Sequence, residues 1–173
     1  MAIQVTTPLY RNSRSYAAAY GQIEQYLDSH AANTMCKKAI EDAISIHFDG
    51  HQMGYKAVTD VLDRYGADRM QYVLATTIHH KRWDGRFSDS NKEWAEGHVG
   101  LLDNGENGRP FDDRLDYLVK THPAVLDGYV TMTRQKIRQR EAHSIQDALN
   151  KPQNMQTPNT PNAHVKKAER PER

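Results

Sequence analysis

Apolar residues in this chain recur every three or four positions, a spacing that suits the buried stripe of an α-helix and little else. Met70, Val73, Leu74, Thr77 and Ile78 predict a helix from Asp68 to about Lys81. Tyr55, Val58, Leu62 and Tyr65, with Val61 adjoining, predict another over Lys56 to Tyr65, and Gly66 follows where a left-handed cap belongs. From Asn33 to Phe48, Cys36, Ala39, Ile40, Ala43, Ile44 and His47 share one side, with Lys37, Lys38, Glu41 and Asp42 on the other. Ile44 to Phe48 also alternates like a strand, so a short β element stays open there. Upstream, Tyr16, Ala19, Tyr20, Ile23, Tyr26 and Leu27 mark a helical face starting at Ser13, with Gly21 a weak point and Asp28-Ser29-His30 an expected break. Residues 1–12 have no period and read as an extended lead-in. Short polar links between such helices favour antiparallel neighbours. The expected fold is all-α, a compact multi-helix bundle whose core domain spans residues 13–97.

The most distinctive stretch runs from Tyr72 to Trp94. It holds both tryptophans, Trp83 and Trp94, together with Phe87, around an Asp84-Gly85 turn. Ser88 or Ser90 can cap a following helix; Ser90 with Glu93 fits the capping-box pattern, and Gly97 is a plausible stop. Aromatics beside a turn usually pin it to the core, because each buries roughly 150–250 Å². Arg82 and Arg86 offer a sharper reading, a guanidinium fork for an anion beside an aromatic surface.

Beyond Gly97 the pattern loosens. Residues 98–110 carry Gly100, Gly105 and Gly108 and read as a loop or domain seam. C-terminal helices are expected over 111–149. Phe111, Leu115, Leu118 and Val119 suggest one that ends before His122-Pro123, and Pro123 is suited to open the next. Leu126, Val130, Thr133, Ile137 and Glu141 form a narrow stripe in that last helix. Arg134, Lys136, Arg138 and Arg140 spread over its flanks, either as a solvated face or as contacts to phosphate or an acidic partner. Residues 150–173 hold four prolines and no apolar period, the composition of a disordered tail. From Lys151 on, five basic residues face two acidic ones, net +3, which leaves the first 150 residues at −2.

A chain of 173 residues can bury a real core, yet only 38% of it is hydrophobic and mean hydropathy is −0.85. Net charge is +1, so bulk electrostatics do not drive binding to nucleic acid or membrane. Cys36 is the single cysteine, which excludes an intrachain disulfide. The opening residues lack a basic segment leading into an apolar one, and no run approaches about 18 apolar residues. A cytoplasmic protein with no membrane partner is the expectation.

Chemistry is hard to find. His47 and His51 have the spacing of a helical metal pair, but Phe48 stands where a catalytic glutamate belongs and Asp49-Gly50 breaks the helix between them. His79 and His80 are adjacent, about 100° apart on a helix, and do not converge. Cys36 sits on an apolar face, where a thiol behaves as a small hydrophobe. Neither a nucleophile elbow nor a phosphate-cradling or dinucleotide glycine motif is present. No catalytic or metal-binding residue and no cofactor is assigned.

The segments Ala39-Ile40-Glu41, His47-Phe48-Asp49-Gly50, Tyr72-Val73-Leu74-Ala75, Trp83-Asp84-Gly85-Arg86-Phe87-Ser88 and Asn91-Lys92-Glu93-Trp94-Ala95 resemble an uncharacterised helical domain of proteins in bacterial conjugative elements and phages. The resemblance covers Tyr16 to Trp94, a little over half of the chain. It implies a setting and carries over no activity: small accessory proteins of mobile elements often block host defence or assist transfer. The first functional expectation is a non-enzymatic binding protein, an anti-CRISPR-like or anti-restriction-like inhibitor that occludes a host or element-encoded protein complex. Its candidate contacts are Trp83, Arg86, Phe87 and Trp94, since aromatics and arginine dominate interface energy. The alternative is a direct nucleic-acid binder using Arg134, Lys136, Arg138, Arg140 and the basic tail, and a metal-dependent hydrolase ranks third.

Overall fold

A computed structural model describes residues 3–99 and 116–152. Six helices make up the described architecture: α1 (Arg14–Ala19), α2 (Ile23–His47), α3 (Lys56–Tyr65), α4 (Ala67–His80), α5 (Asp89–Val99) and α6 (Pro123–Asn150). The fold is all-α, as expected. The alternation over Ile44–Phe48 yields one isolated bridge, Phe48 to Met53, and no strand among the described residues.

α4 is the central element. Arg69, Met70 and every residue from Tyr72 to Ile78 are buried, so it has little face for solvent and must be wrapped on several sides. α2, α3 and α5 pack directly on it, and α6 closes the bundle against α3 and α5. Side chains from α2 through α6, with Tyr117 and Val119 from the segment ahead of α6, form one core cluster. Cys36 lies inside it, and burial pushes the thiol up to about 12. At that value it is an uncharged apolar filler, not a nucleophile.

Several expectations about the first helices are corrected. The chain does not break at Asp28-Ser29-His30: α2 runs unbroken from Ile23 to His47. Ser29 is buried, and its Oγ accepts the Tyr10 amide at 2.9 Å, so this polar residue is satisfied across the bundle and does not compete with its own helix. The break falls instead at Gly21, whose φ of +67° lets the Gln22 amide reach back to the Ala17 carbonyl and close α1. That split rotates the expected apolar face away from the core. Ala17 is buried, whereas Tyr16, Tyr20 and Leu27 are exposed, as is Tyr55 ahead of α3.

Of the helix suggested by Phe111, Leu115, Leu118 and Val119, the described part holds only a 3-10 turn at Asp116 and Tyr117. Residues 118–120 have no regular secondary structure, and residues 111–115, with the loop over 100–110, lie outside the described residues. The reason is that local amides are claimed by other elements: Val119 donates to Thr77 Oγ1 at 3.1 Å and Lys120 to Glu41 Oε1 at 2.7 Å. Tyr117 adds a hydroxyl contact to Tyr72 at 3.2 Å. α6 opens on Pro123, as expected, with the His122 Nδ1 accepting from Ala124. Its stripe is buried through Ile137, but Glu141 and everything after it to Asn150 is exposed. The tail expected to be disordered lies outside the described residues from 153 on.

The lead-in has no regular secondary structure, and a buried cation holds it in place. Arg69 is 3% exposed and makes no ion pair among the described residues. Its Nε donates to Asn33 Oδ1 (3.0 Å), Nη1 to the Thr7 carbonyl (2.7 Å) and Nη2 to the Pro8 carbonyl (3.2 Å) and Ser29 Oγ (3.4 Å). Desolvation lowers its pKa, but an arginine stays charged in a protein. Replacing Arg69 by Ala strands four buried or half-buried acceptors. The expected cost is about 2–4 kcal/mol in urea unfolding, with trypsin cleavage at Arg11 and Arg14 speeding up as residues 3–12 come free.

Candidate functional site

The connection from α4 to α5 is a tight corner, residues 81–88, built from its own side chains. At its base Lys81 ends α4, and its Nζ donates to the Val119 carbonyl at 3.3 Å. Arg82 folds back so that Nη1 donates to the His79 carbonyl at 3.0 Å, which places a cation on the negative end of the helix. Asp84 is the keystone. It is 6% exposed, its Oδ1 accepts the Arg86 amide (3.0 Å) and Nε (2.9 Å), and its Oδ2 accepts Arg86 Nη2 (2.7 Å). Those hydrogen bonds hold its pKa down at about 2. Arg86 is thus not the open anion fork suggested by sequence: its planar face is spent on Asp84.

Phe87 points inward from this corner and is 2% exposed. It is a core residue and takes no part in an external contact. Ser88 caps α5, accepting the Asn91 amide at 3.3 Å, and its own amide and hydroxyl bind Asp127 of α6 at 2.9 and 3.1 Å. The expected Ser90–Glu93 capping box is therefore replaced, and Ser90 instead accepts from Arg134 at 3.1 Å. α5 also runs past Gly97 to Val99. Asn91, fully buried, spends its amide nitrogen on Asp127 and Thr131 and its oxygen on Arg134 Nη1 at 2.7 Å.

Trp94 is half-buried on α5, under the Arg134 guanidinium at 5.6 Å and beside the His98 ring at 4.7 Å. Trp83 differs from all these residues: its indole is 79% exposed at the tip of the corner. Of the four contacts expected from sequence, Trp83 and Arg86 are thus exposed, Trp94 is partly covered and Phe87 is interior. The α6 cations fare similarly. Arg134 is turned onto α5, and Arg140 pairs with Asp63 at 2.7 Å; Arg138 is exposed and Lys136 is half-buried. They do not form a continuous outward-facing row.

The histidines do not converge either. α2 ends at His47, so His51 lies beyond the helix, in a turn organised by Asp49. His79 holds Glu96 through Nδ1 at 2.7 Å. Among the described residues no three metal-ligating side chains come together. Sequence reasoning missed the residues that make the corner rigid, Asp84 with Arg86, and Asn91 with Asp127. The Asp-x-Arg spacing was a readable signal for the first pair. Nothing local announces the second, which joins positions 36 apart.

These features describe an all-α domain that presents one aromatic corner on a braced scaffold. Residues 9–138 match the model of a family described as a protein of unknown function (DUF3849), and the chain belongs to that family. No curated protein and no solved structure matches it. No described helix is long and apolar enough to cross a membrane.

The keystone has a pH signature. Asp84 is depressed in the folded state, so its contribution to stability is complete above its ordinary value of 3.8 and is lost as pH falls toward about 2. Asp84→Asn should flatten the stability–pH curve between those limits, and at neutral pH it should leave Trp83 on a looser loop. Urea midpoints across pH, with Trp83 anisotropy in a Trp94→Phe background, check both.

Proposed function

We propose that this protein is a non-enzymatic binding protein that docks on its target through the Trp83 corner. The observation that carries this reading is an indole left 79% exposed on a loop whose other side chains are tied down. Aromatic side chains are enriched at interfaces, and a rigid anchor loses little entropy when it binds. Tryptophan and arginine are the residue types that most often dominate binding energy, and both stand here.

The setting we propose is a bacterial mobile element or phage, with the protein acting in the cytoplasm. There it inhibits a host nucleic-acid-targeting defence complex, in the manner of an anti-CRISPR or anti-restriction protein, by occluding a surface of the complex. Support for the setting comes from the resemblance of the Trp83–Ser88 and Asn91–Ala95 segments noted above. A protein partner is favoured over direct nucleic-acid binding because Arg134 is turned onto α5 and Arg140 is paired with Asp63.

Affinity capture from host lysate, with and without nuclease, tests the reading. A protein partner should be retained in both arms, and Trp83→Ala should weaken capture by about 2 kcal/mol or more, roughly thirtyfold. The melting temperature should stay unchanged, since the indole makes no core contact. Capture that vanishes with nuclease, or that ignores Trp83→Ala, overturns the docking role.

A further inference from the structure

We propose that His79 is a proton-operated latch on the Trp83 corner, closed while its ring is neutral and opened when the ring takes up a proton. The last turn of α4 places this imidazole between two groups of opposite charge. On one side its Nδ1 lies 2.7 Å from Glu96 Oε1 of α5. On the other, Arg82 Nη1 lies 3.4 Å from its Nε2. The side chain is 16% exposed. Among the described residues its other titratable neighbour is His80 on the same helix, with ring centroids 5.9 Å apart.

The two partners fix the tautomer. An ionised carboxylate only accepts, so the Glu96 contact puts the ring proton on Nδ1 and leaves a lone pair on Nε2. A guanidinium only donates, and Arg82 Nη1 meets that lone pair while also reaching the His79 carbonyl at 3.0 Å. Neutral His79 therefore links Glu96 to Arg82 with every donor facing an acceptor. Protonation turns Nε2 into a second donor. Two cationic N–H groups then point at each other across 3.4 Å, while the Glu96 contact becomes an ion pair that keeps the ring where it is. Arg82 is the member that must leave. It is exposed and makes no ion pair among the described residues, so no carboxylate retains it.

Arg82 directly precedes Trp83, so the latch acts on the indole. Closed, its side chain clamps the start of the corner to the carbonyl end of α4, and Asp84 with Arg86 clamps the turn beyond Trp83. Imidazole is the side chain whose charge changes between about pH 5 and 8, whereas the Asp84 clamp holds until far stronger acid. Mild acid thus frees one side of the loop and leaves the other fixed. The consequence rests on the docking role proposed above: Trp83 is a rigid anchor at neutral pH and pays more entropy to bind once the latch opens.

Trp83 anisotropy of the full chain in a Trp94→Phe background, followed from about pH 8 to about pH 5, tests the proposal. It should fall in one step that tracks a single proton, with the midpoint at which the His79 ring resonances move in NMR. His79→Gln should abolish the step, because an amide does not titrate. Arg82→Ala should abolish it too and hold the anisotropy at its low-pH value, and His80→Gln should leave the step intact. A flat trace without these substitutions, or a step that survives His79→Gln, overturns the proposal. Neither result touches lysate capture through Trp83, and capture that ignores Trp83→Ala removes the docking function while leaving the step in place.

Discussion

α4 is buried around most of its circumference, and the remaining architecture follows from that constraint. A helix with so little solvent face needs neighbours on several sides, which α2, α3 and α5 provide. It also takes polar groups inside, and Thr77 and Arg69 find partners there. Thr77 donates to its own helix at Val73 and accepts from Val119, while Arg69 binds Asn33, Ser29 and two carbonyls of the lead-in. Buried polar groups left without such partners cost about 1–3 kcal/mol each. The same bonds therefore draw two non-helical segments, 3–12 and 118–120, onto a helical body that would otherwise not specify where they lie.

A second set of polar links fixes the far end of the bundle. Asp127 of α6 receives Ser88 and Asn91, and Arg134 reaches back to Ser90 and Asn91 while covering Trp94. Further along, the Tyr129 hydroxyl donates to the Ala57 carbonyl at 2.8 Å, and burial pushes that phenol's pKa up so that it serves only as a neutral donor. With the first half of α5 so held, the corner between α4 and α5 has little freedom. The Asp84–Arg86 pair completes it from within, and Trp83 is the residue left outside. Its exposure thus comes from scaffold geometry and not from a loose loop.

Much of the helix content was legible in the sequence, because the three-and-four spacing of Val58, Leu62 and Tyr65, or of Met70, Val73, Leu74, Thr77 and Ile78, follows directly from a turn of 3.6 residues. The errors have a common source. Ser29 reads as a helix breaker until Tyr10 and Arg69 are brought to it. Leu118 and Val119 read as helical until their neighbours' amides are claimed by Thr77 and Glu41. The site was half legible: a tryptophan turn stands out by composition, but composition is silent on which aromatic faces inward. Phe87 and Trp83 lie four residues apart on one turn and end on opposite sides of the protein surface.

The sequence alone determined that this chain is helical, that Gly66 and Pro123 mark a helix end and a helix start, and that its thiol is a core group, since periodicity and cap chemistry act within a few residues. Tertiary structure decided what long-range bonds control: the unbroken course of α2, the placement of the two non-helical straps and the burial of Asn91. The division is physical. Local spacing encodes which face of an element is apolar, whereas the partners of Arg69, Asn91 and Thr77 include groups 36 or more residues away and are settled only when the elements meet.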